Sequence, residues 1–210
     1  MELKGKKINF LGDSITEGCG TSCEAARFTC VLKEIADLAE IRNYGIGGTR
    51  IARQIVRPDA TDFCARFSDM DDDADAVVVF GGTNDYGHGD APFGKFTDRT
   101  PETFCGAVHC LFRGLIEKYP TKPIIIITPM HRKNDYVPNT SNQKVLKDYV
   151  DVIREAAEVY SLPVLDLFAS FGICPDITEQ MEAYCPDGLH PNDAGNRVLA
   201  EKLKKFLEAL

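Results

Sequence analysis

The chain has 210 residues, 44% of them hydrophobic, and a formal charge of -8 from 32 acidic and 24 basic side chains. That length and mixture suffice for one well-buried domain without demanding a second, so residues 1–210 are expected to fold as a single unit. The acidic balance argues against nucleic acid or an anionic membrane surface as partner, since both reward a basic patch; a small-molecule partner is expected instead.

No run approaches the ~20 apolar residues of a membrane span. The N-terminus "MELKGKKINFLGDS" lacks the apolar stretch and cleavage site of a signal peptide, so the sequence reads as cytoplasmic. In that setting the eight cysteines are expected as free thiols rather than disulfides. Cys19, Cys23 and Cys30 lack the paired C-x-x-C and histidine spacing of a zinc site, so no metal is expected. Cys105 and Cys110 are expected as small buried hydrophobes in a helix.

In chain order, "KINFL" (7–11) is the first apolar strand, and it runs into Gly12-Asp13-Ser14. A helical pattern at about 24–39 precedes a second strand, "IRNYG" (41–45), which leads to Gly45-Ile46-Gly47-Gly48-Thr49. A shorter helical region spans 50–68. The acidic run "DMDDDAD" (69–75) lacks the central glycine of a calcium loop and reads as a solvated connection. The third strand, "AVVVF" (76–80), opens into Gly81-Gly82-Thr83-Asn84-Asp85. There follow a long loop, a helix over 101–118, the strand "PIIIIT" (123–128), a helix over 142–160, the strand "PVLDLF" (163–168) and a terminal helix over 192–209. Thr100 before Pro101-Glu102, and Ser141, are the expected start signals of two of these helices.

Unbroken apolar runs such as Val77 to Val79 and Ile124 to Ile127 suit strands covered on both faces, the mark of a parallel sheet. Alternating with helices, they predict an α/β fold, a three-layer α/β/α sandwich with right-handed crossovers. The glycines of "GDSITEGCG" and "YGIGGTR" match neither a phosphate loop nor a dinucleotide fingerprint, so nucleotide binding is not expected.

Ligands of open α/β sheets bind beyond the carboxyl ends of the strands. In the doubly wound order 2-1-3-4-5, Ser14, Gly48 and Asn84 become neighbours on that rim, joined by the segment Asp187-Gly188-Leu189-His190-Pro191. The residue types are complete for acyl transfer. Ser14 would be the nucleophile, His190 its base, and Asp187 the group that holds the other ring nitrogen. The N–H groups of Ser14 and Gly48, with the Asn84 amide, would receive the developing oxyanion. Each has a plainer reading: a turn serine, a helix-start histidine, a turn glycine, a turn asparagine. Gly12 is expected to permit a sharp exit from the strand, and Asp13 to accept local backbone N–H groups.

The blocks "FLGDSIT", "NYGIGGTR", "GGTND" and "DGLHP", in this order over residues 10–191, resemble the signature blocks of the SGNH hydrolases, also called the GDSL esterase/lipase family. The resemblance implies a flavodoxin-like five-stranded parallel sheet, a triad of Ser14, Asp187 and His190, an oxyanion hole from Ser14, Gly48 and Asn84, and no cofactor. The chain contains no G-x-S-x-G elbow, so the common α/β-hydrolase fold is not expected.

The loop between Asn84 and Thr100 is long and rich in glycine and aromatics; it reads either as a pocket wall carrying Tyr86, His88 and Phe93 or as a surface lid. His131 and Arg132, after the fourth strand, are candidates to meet a polar alcohol. The expected activity is a serine esterase cleaving small polar acyl esters, acetylated carbohydrates among them. A thioesterase or lysophospholipase is the alternative within catalysis, and a non-catalytic ligand-binding domain the alternative outside it.

Overall fold

A computed structural model describes residues 1–54 and 61–210. Five parallel strands, β1 (Lys7–Gly12), β2 (Glu40–Gly45), β3 (Ala76–Phe80), β4 (Ile124–Ile127) and β5 (Val164–Leu165), form one sheet in the order β2-β1-β3-β4-β5. The expected α/β fold and strand order are both observed. Gly12 pairs with Gly45 on one side and with Phe80 on the other, so the first three strands end level and release their loops onto one rim.

Both faces of the sheet are covered, which explains the unbroken apolar runs. Alternate residues of a strand point to opposite faces: Leu11, Val77, Val79, Ile124 and Ile126 enter one core, and Ile8, Phe10, Val78, Phe80, Ile125 and Ile127 the other. In chain order the α-helices are α1 (Ser14–Glu17), α2 (Phe28–Ile35), α3 (Phe63–Arg66), α4 (Thr83–His88), α5 (Phe104–Lys118), α6 (Leu146–Val159), α7 (Leu167–Ser170), α8 (Thr178–Tyr184) and α9 (Asp193–Ala209). The first core is closed by α5 and α6, through residues such as Leu111, Phe112, Tyr149 and Ile153. The second is closed by α2 and α9, through Phe28, Leu32, Leu199 and Leu203. Among the described residues no helix is long and apolar enough to cross a membrane.

Several helix limits differ from expectation. The pattern at 24–39 divides into a 3-10 turn (Glu24–Ala26) and α2, because Arg27 between them takes an extended ψ of 139°. Helix α5 starts after Thr103, whose side chain accepts from Gly106 N; the Thr100-Pro101-Glu102 signal lies one turn too early. Helix α6 starts after Val145 rather than Ser141, with Asp148 accepting the Val145 N–H. In the helical region over 50–68, residues 55–60 lie outside the described residues, and among the described ones α3 and a 3-10 turn (Phe67–Asp69) are helical. The fifth strand shortens to Val164–Leu165 because Asp166 caps α7 by accepting from Ala169 N.

The acidic run 69–75 is more than a solvated connection. Asp73 pairs with Lys7 at 2.7 Å and Arg42 at 2.6 Å, and Asp75 accepts the Lys7 N–H at 2.9 Å, fastening the amino end of β1. Arg42 and Lys7 together hold the Asp73 carboxyl far below its ordinary range. All eight cysteines are free thiols; Cys105 is buried, while Cys110 is half-buried and its thiol donates to Arg99 O.

Candidate active site

The local structure at Ser14 follows from three small decisions. Strand β1 ends at Gly12, Asp13 caps α1 by accepting the Ile15 N–H at 3.0 Å, and Ser14 becomes the first residue of that helix. Gly12 is required for room rather than for backbone freedom: a Cβ there would lie 1.9 Å from Thr16 Oγ1, and its φ is not positive. This corrects the expectation that glycine serves to turn the chain sharply. The tight fold of α1 over the strand end is what leaves the Ser14 hydroxyl facing the rim.

Across the rim, the turn 187–190 is organised by Asp187. Its Oδ1 accepts the N–H groups of Leu189 at 2.8 Å and His190 at 2.7 Å, and its Oδ2 meets His190 Nδ1 at 2.6 Å. Desolvation raises the Asp187 pKa, but the hydrogen bonds from His190 and Leu189 outweigh it and hold the carboxyl below its ordinary value. With Nδ1–H directed at a carboxylate, the Nε2 lone pair faces outward. It lies 2.9 Å from Ser14 Oγ, so the hydroxyl donates to it. Ser14, Asp187 and His190 thus form one continuous hydrogen-bonded chain.

The loop after β2 brings in the other two residues. Gly48 adopts φ 73°, a left-handed conformation that a side chain disfavours. A Cβ placed on the preceding Gly47 would lie 3.7 Å from Ser14 Cβ, so this loop passes directly beside the serine. Asn84, the second residue of α4, donates through Nδ2 to Thr49 O at 3.2 Å, which leaves its second amide hydrogen for another acceptor. Among the described residues, neither the Ser14 N–H nor the Gly48 N–H donates within the chain. The Ser14 and Gly48 N–H groups and one Asn84 amide hydrogen are thus left without an acceptor among the described residues of the chain.

Beneath this rim lie charges that the sequence pattern did not mark. Arg66, only 9% exposed, donates to Gly12 O at 2.6 Å, Thr61 O at 2.8 Å and Thr49 Oγ1 at 3.2 Å, and also to Tyr44 O. It ties the ends of β1 and β2 to the loop carrying Gly48. Burial lowers its pKa to about 10, so it remains a cation at neutral pH. Asp85 accepts the N–H groups of Ile51 and Ala52, both at 3.0 Å, and burial raises its pKa to about 6. Arg50 pairs with Asp90 at 2.8 Å and donates to Gly48 O at 2.9 Å. Burial pushes the Asp13 carboxyl up to about 7, and its Oδ2 has no hydrogen-bond partner. Asp85 adjoins Asn84 in the "GGTND" block, but spacing alone cannot say which arginine or backbone amide such a carboxylate will meet.

The five residues expected near the substrate separate in space. Tyr86, His88 and Arg132 line one cavity of about 360 Å³ between α4 and the segment after β4. The Tyr86 hydroxyl is occupied, with Val137 O at 2.7 Å and Asn134 O at 3.1 Å, so this side chain props the far wall. Phe93 does not line that cavity; its ring packs on Phe104 and Tyr149 at centroid distances of 5.9 and 5.0 Å, because the apolar face of α5 and α6 lies beneath it. His131 faces elsewhere, stacked at 4.0 Å on Phe168 with Nδ1 2.7 Å from Asp135 Oδ2, in a separate hollow with Phe171 and Gln180. The loop 85–100 is tied to the body by the Arg50–Asp90 pair and by Phe104 N and Cys105 N, which donate to Pro92 O and Phe93 O. Among the described residues no cluster of three or more His, Cys, Asp or Glu is placed to hold a metal ion.

Against known proteins, residues 10–198 match the model of the GDSL-like lipase/acylhydrolase family. No curated protein matches the sequence. Among solved structures, a protein of Lactobacillus plantarum superposes with a TM-score of 0.88 at 33% identity, over 99% of this chain and 98% of that one. A possible lipase from Chitinophaga pinensis gives 0.71 at 21% identity, over 97% and 98%. The lipase/acylhydrolase of Enterococcus faecalis gives 0.68 at 22% identity, over 97% and 96%. The last two likenesses concern the fold.

Proposed function

As this chain belongs to the GDSL-like lipase/acylhydrolase family, we propose that it is a serine esterase that cleaves small polar acyl esters through an acyl-enzyme intermediate. The observation that carries this reading is the chain Ser14 Oγ, His190 Nε2, His190 Nδ1, Asp187 Oδ2, with contacts of 2.9 and 2.6 Å. In the proposed cycle Ser14 Oγ attacks the ester carbonyl carbon as its proton passes to His190 Nε2, and Asp187 stabilises the imidazolium that results. The carbonyl oxygen, now negative, is received by the N–H groups of Ser14 and Gly48 and by Asn84 Nδ2. Collapse breaks the bond to the alcohol oxygen, which leaves with the proton from His190. Water then attacks the serine ester, giving up a proton to the same nitrogen, and releases the carboxylic acid while Ser14 recovers its hydrogen. Every step draws on side chains and backbone N–H groups of this chain together with water.

The net charge of -8 supports a small-molecule substrate over nucleic acid or an anionic membrane. The cavity of about 360 Å³ beside α4 is lined by none of Ser14, Asp187 and His190, so the preference for short esters, acetylated carbohydrates among them, rests on the sequence reading. Hydrolysis of p-nitrophenyl acetate and its longer-chain homologues, by the wild type and by Ser14→Ala, tests the assignment. Turnover that disappears with the hydroxyl and declines with acyl length is the expected result. Equal turnover by both proteins would remove Ser14 from the mechanism, and preference for long chains or thioesters would move the substrate class.

A further inference from the structure

The cavity between α4 and the segment after β4 has a feature that ester hydrolysis does not require. Its lining includes Tyr86, Gly87, His88, Arg132, Lys133 and Asn139. Two adjacent basic residues thus line one hollow in a protein whose overall charge is -8. Arg132 donates only weakly, to Thr83 O at 3.3 Å and Thr83 Oγ1 at 3.4 Å, both uncharged, and its guanidinium lies over the Tyr86 ring at 5.7 Å. Gly87 clears the space it occupies: a Cβ there would stand 2.7 Å from Arg132 Nη1. Among the described residues no carboxylate pairs with Arg132 or Lys133. The nearby Asp135 turns its Oδ2 to His131 Nδ1 at 2.7 Å and to the Arg132 backbone N–H at 3.2 Å, and is itself only 8% exposed.

None of Ser14, Asn84, Asp187 and His190 lines this cavity, yet both basic residues touch chain neighbours of the candidate active site. Thr83, which Arg132 touches, immediately precedes Asn84. Lys133 N donates to Gly188 O at 2.7 Å, and the Lys133 side chain packs against Gly188, inside the turn that carries Asp187 and His190. His190 delivers its proton to the departing alcohol, so the leaving group lies on the His190 side, toward Lys133. We propose that this cavity is a subsite for an anionic group, a phosphate or carboxylate, on the alcohol portion of the ester, held by Arg132 and Lys133. This rests on the esterase reading given above. Arg132 offers a planar fork to two oxygens, and Lys133 a mobile point charge. A neutral alcohol of the same shape leaves both charges unanswered.

Two matched pairs of esters test it at low ionic strength. On the alcohol side, 1-acetylglycerol 3-phosphate is compared with 1-acetylglycerol; on the acyl side, the p-nitrophenyl monoester of glutaric acid is compared with p-nitrophenyl butyrate. The expected result is a kcat/KM at least roughly tenfold higher for the phosphate-bearing member of the first pair, about the worth of one charge-assisted contact. Added salt should shrink that ratio, and the double variant Arg132→Gln, Lys133→Gln should bring it close to one. A ratio near one in the wild type, or a ratio unchanged in the double variant, overturns the proposal; so does a preference for the anion on the acyl side alone. Calorimetry with sn-glycerol 3-phosphate and with glycerol reads the cavity without turnover. If no ester is hydrolysed, the esterase reading fails, yet binding of the phosphate that the double variant loses still upholds the subsite. Absence of that binding to the wild type overturns it.

Discussion

Ser14 Oγ and His190 Nε2 lie 2.9 Å apart although 176 positions separate them in the chain. Helix α9, which follows the His190 turn, packs on α2, and one buried side chain joins the two at their amino ends. Asn196 Oδ1 accepts the Phe28 N–H at 2.9 Å while its Nδ2 donates to Pro191 O at 2.7 Å. Asn196→Ala should leave both groups unsatisfied, cost about 1–3 kcal/mol of stability and lower kcat by loosening the His190 turn. Urea denaturation and ester kinetics on the same preparation check this; full activity at reduced stability would show that the turn holds itself.

Asp187 accepts two backbone N–H groups as well as the imidazole. Asp187→Asn keeps an oxygen for the backbone but favours the wrong tautomer of His190, so kcat should fall by roughly 10³–10⁴ with the fold retained. Steady-state kinetics beside circular dichroism separates this from unfolding. A loss below tenfold would mean that the carboxylate only shapes the turn.

Asn84 Nδ2 has one hydrogen engaged with Thr49 O and a second left over. In the proposed role that second hydrogen reaches the oxyanion, which is formed only in the transition state. Asn84→Ala should therefore lower kcat by roughly 10²–10³ and alter KM much less. A rise in KM at unchanged kcat would assign Asn84 to ground-state binding.

Asp13 is 1% exposed, and burial raises its pKa from 3.8 to about 7. Between those two values the folded state keeps a proton that the unfolded state has released, so stability is lost as pH rises through that window. The slope is at most about 1.4 kcal/mol per pH unit for this group. Asp85, raised to about 6, acts in the same sense over a narrower window. The wild type should thus be less stable at pH 8 than at pH 5, and Asp13→Asn should lose less over that interval. Urea midpoints at the two pH values decide; equal losses would show that the Asp13 carboxyl does not titrate there.

Much of this molecule was legible in the sequence because its signals are local or periodic. Apolar runs such as Val77 to Val79 and Ile124 to Ile127 fixed the strands, since only a strand buried on both faces tolerates them. Four short blocks marked the family and the rim where Ser14, His190 and Asp187 form one hydrogen-bonded chain. Helix starts were misplaced by a turn where two capping candidates competed, as at Thr100 and Thr103. Phe93 and His131 were expected beside the substrate because they sit on rim loops, yet one turns into the core and the other onto Phe168.

What only the tertiary structure decided is the set of long-range partnerships. Arg66 reaching Gly12 O, Arg50 pairing with Asp90 and Lys133 leaning on Gly188 leave no pattern in neighbouring residues. Burial, likewise, makes Asp13 hold its proton near neutrality, whereas the same tripeptide in an exposed turn would not. Periodicity reports which face of an element is apolar. The direction of a polar side chain, and the dielectric around it, depend on which distant segment packs against it.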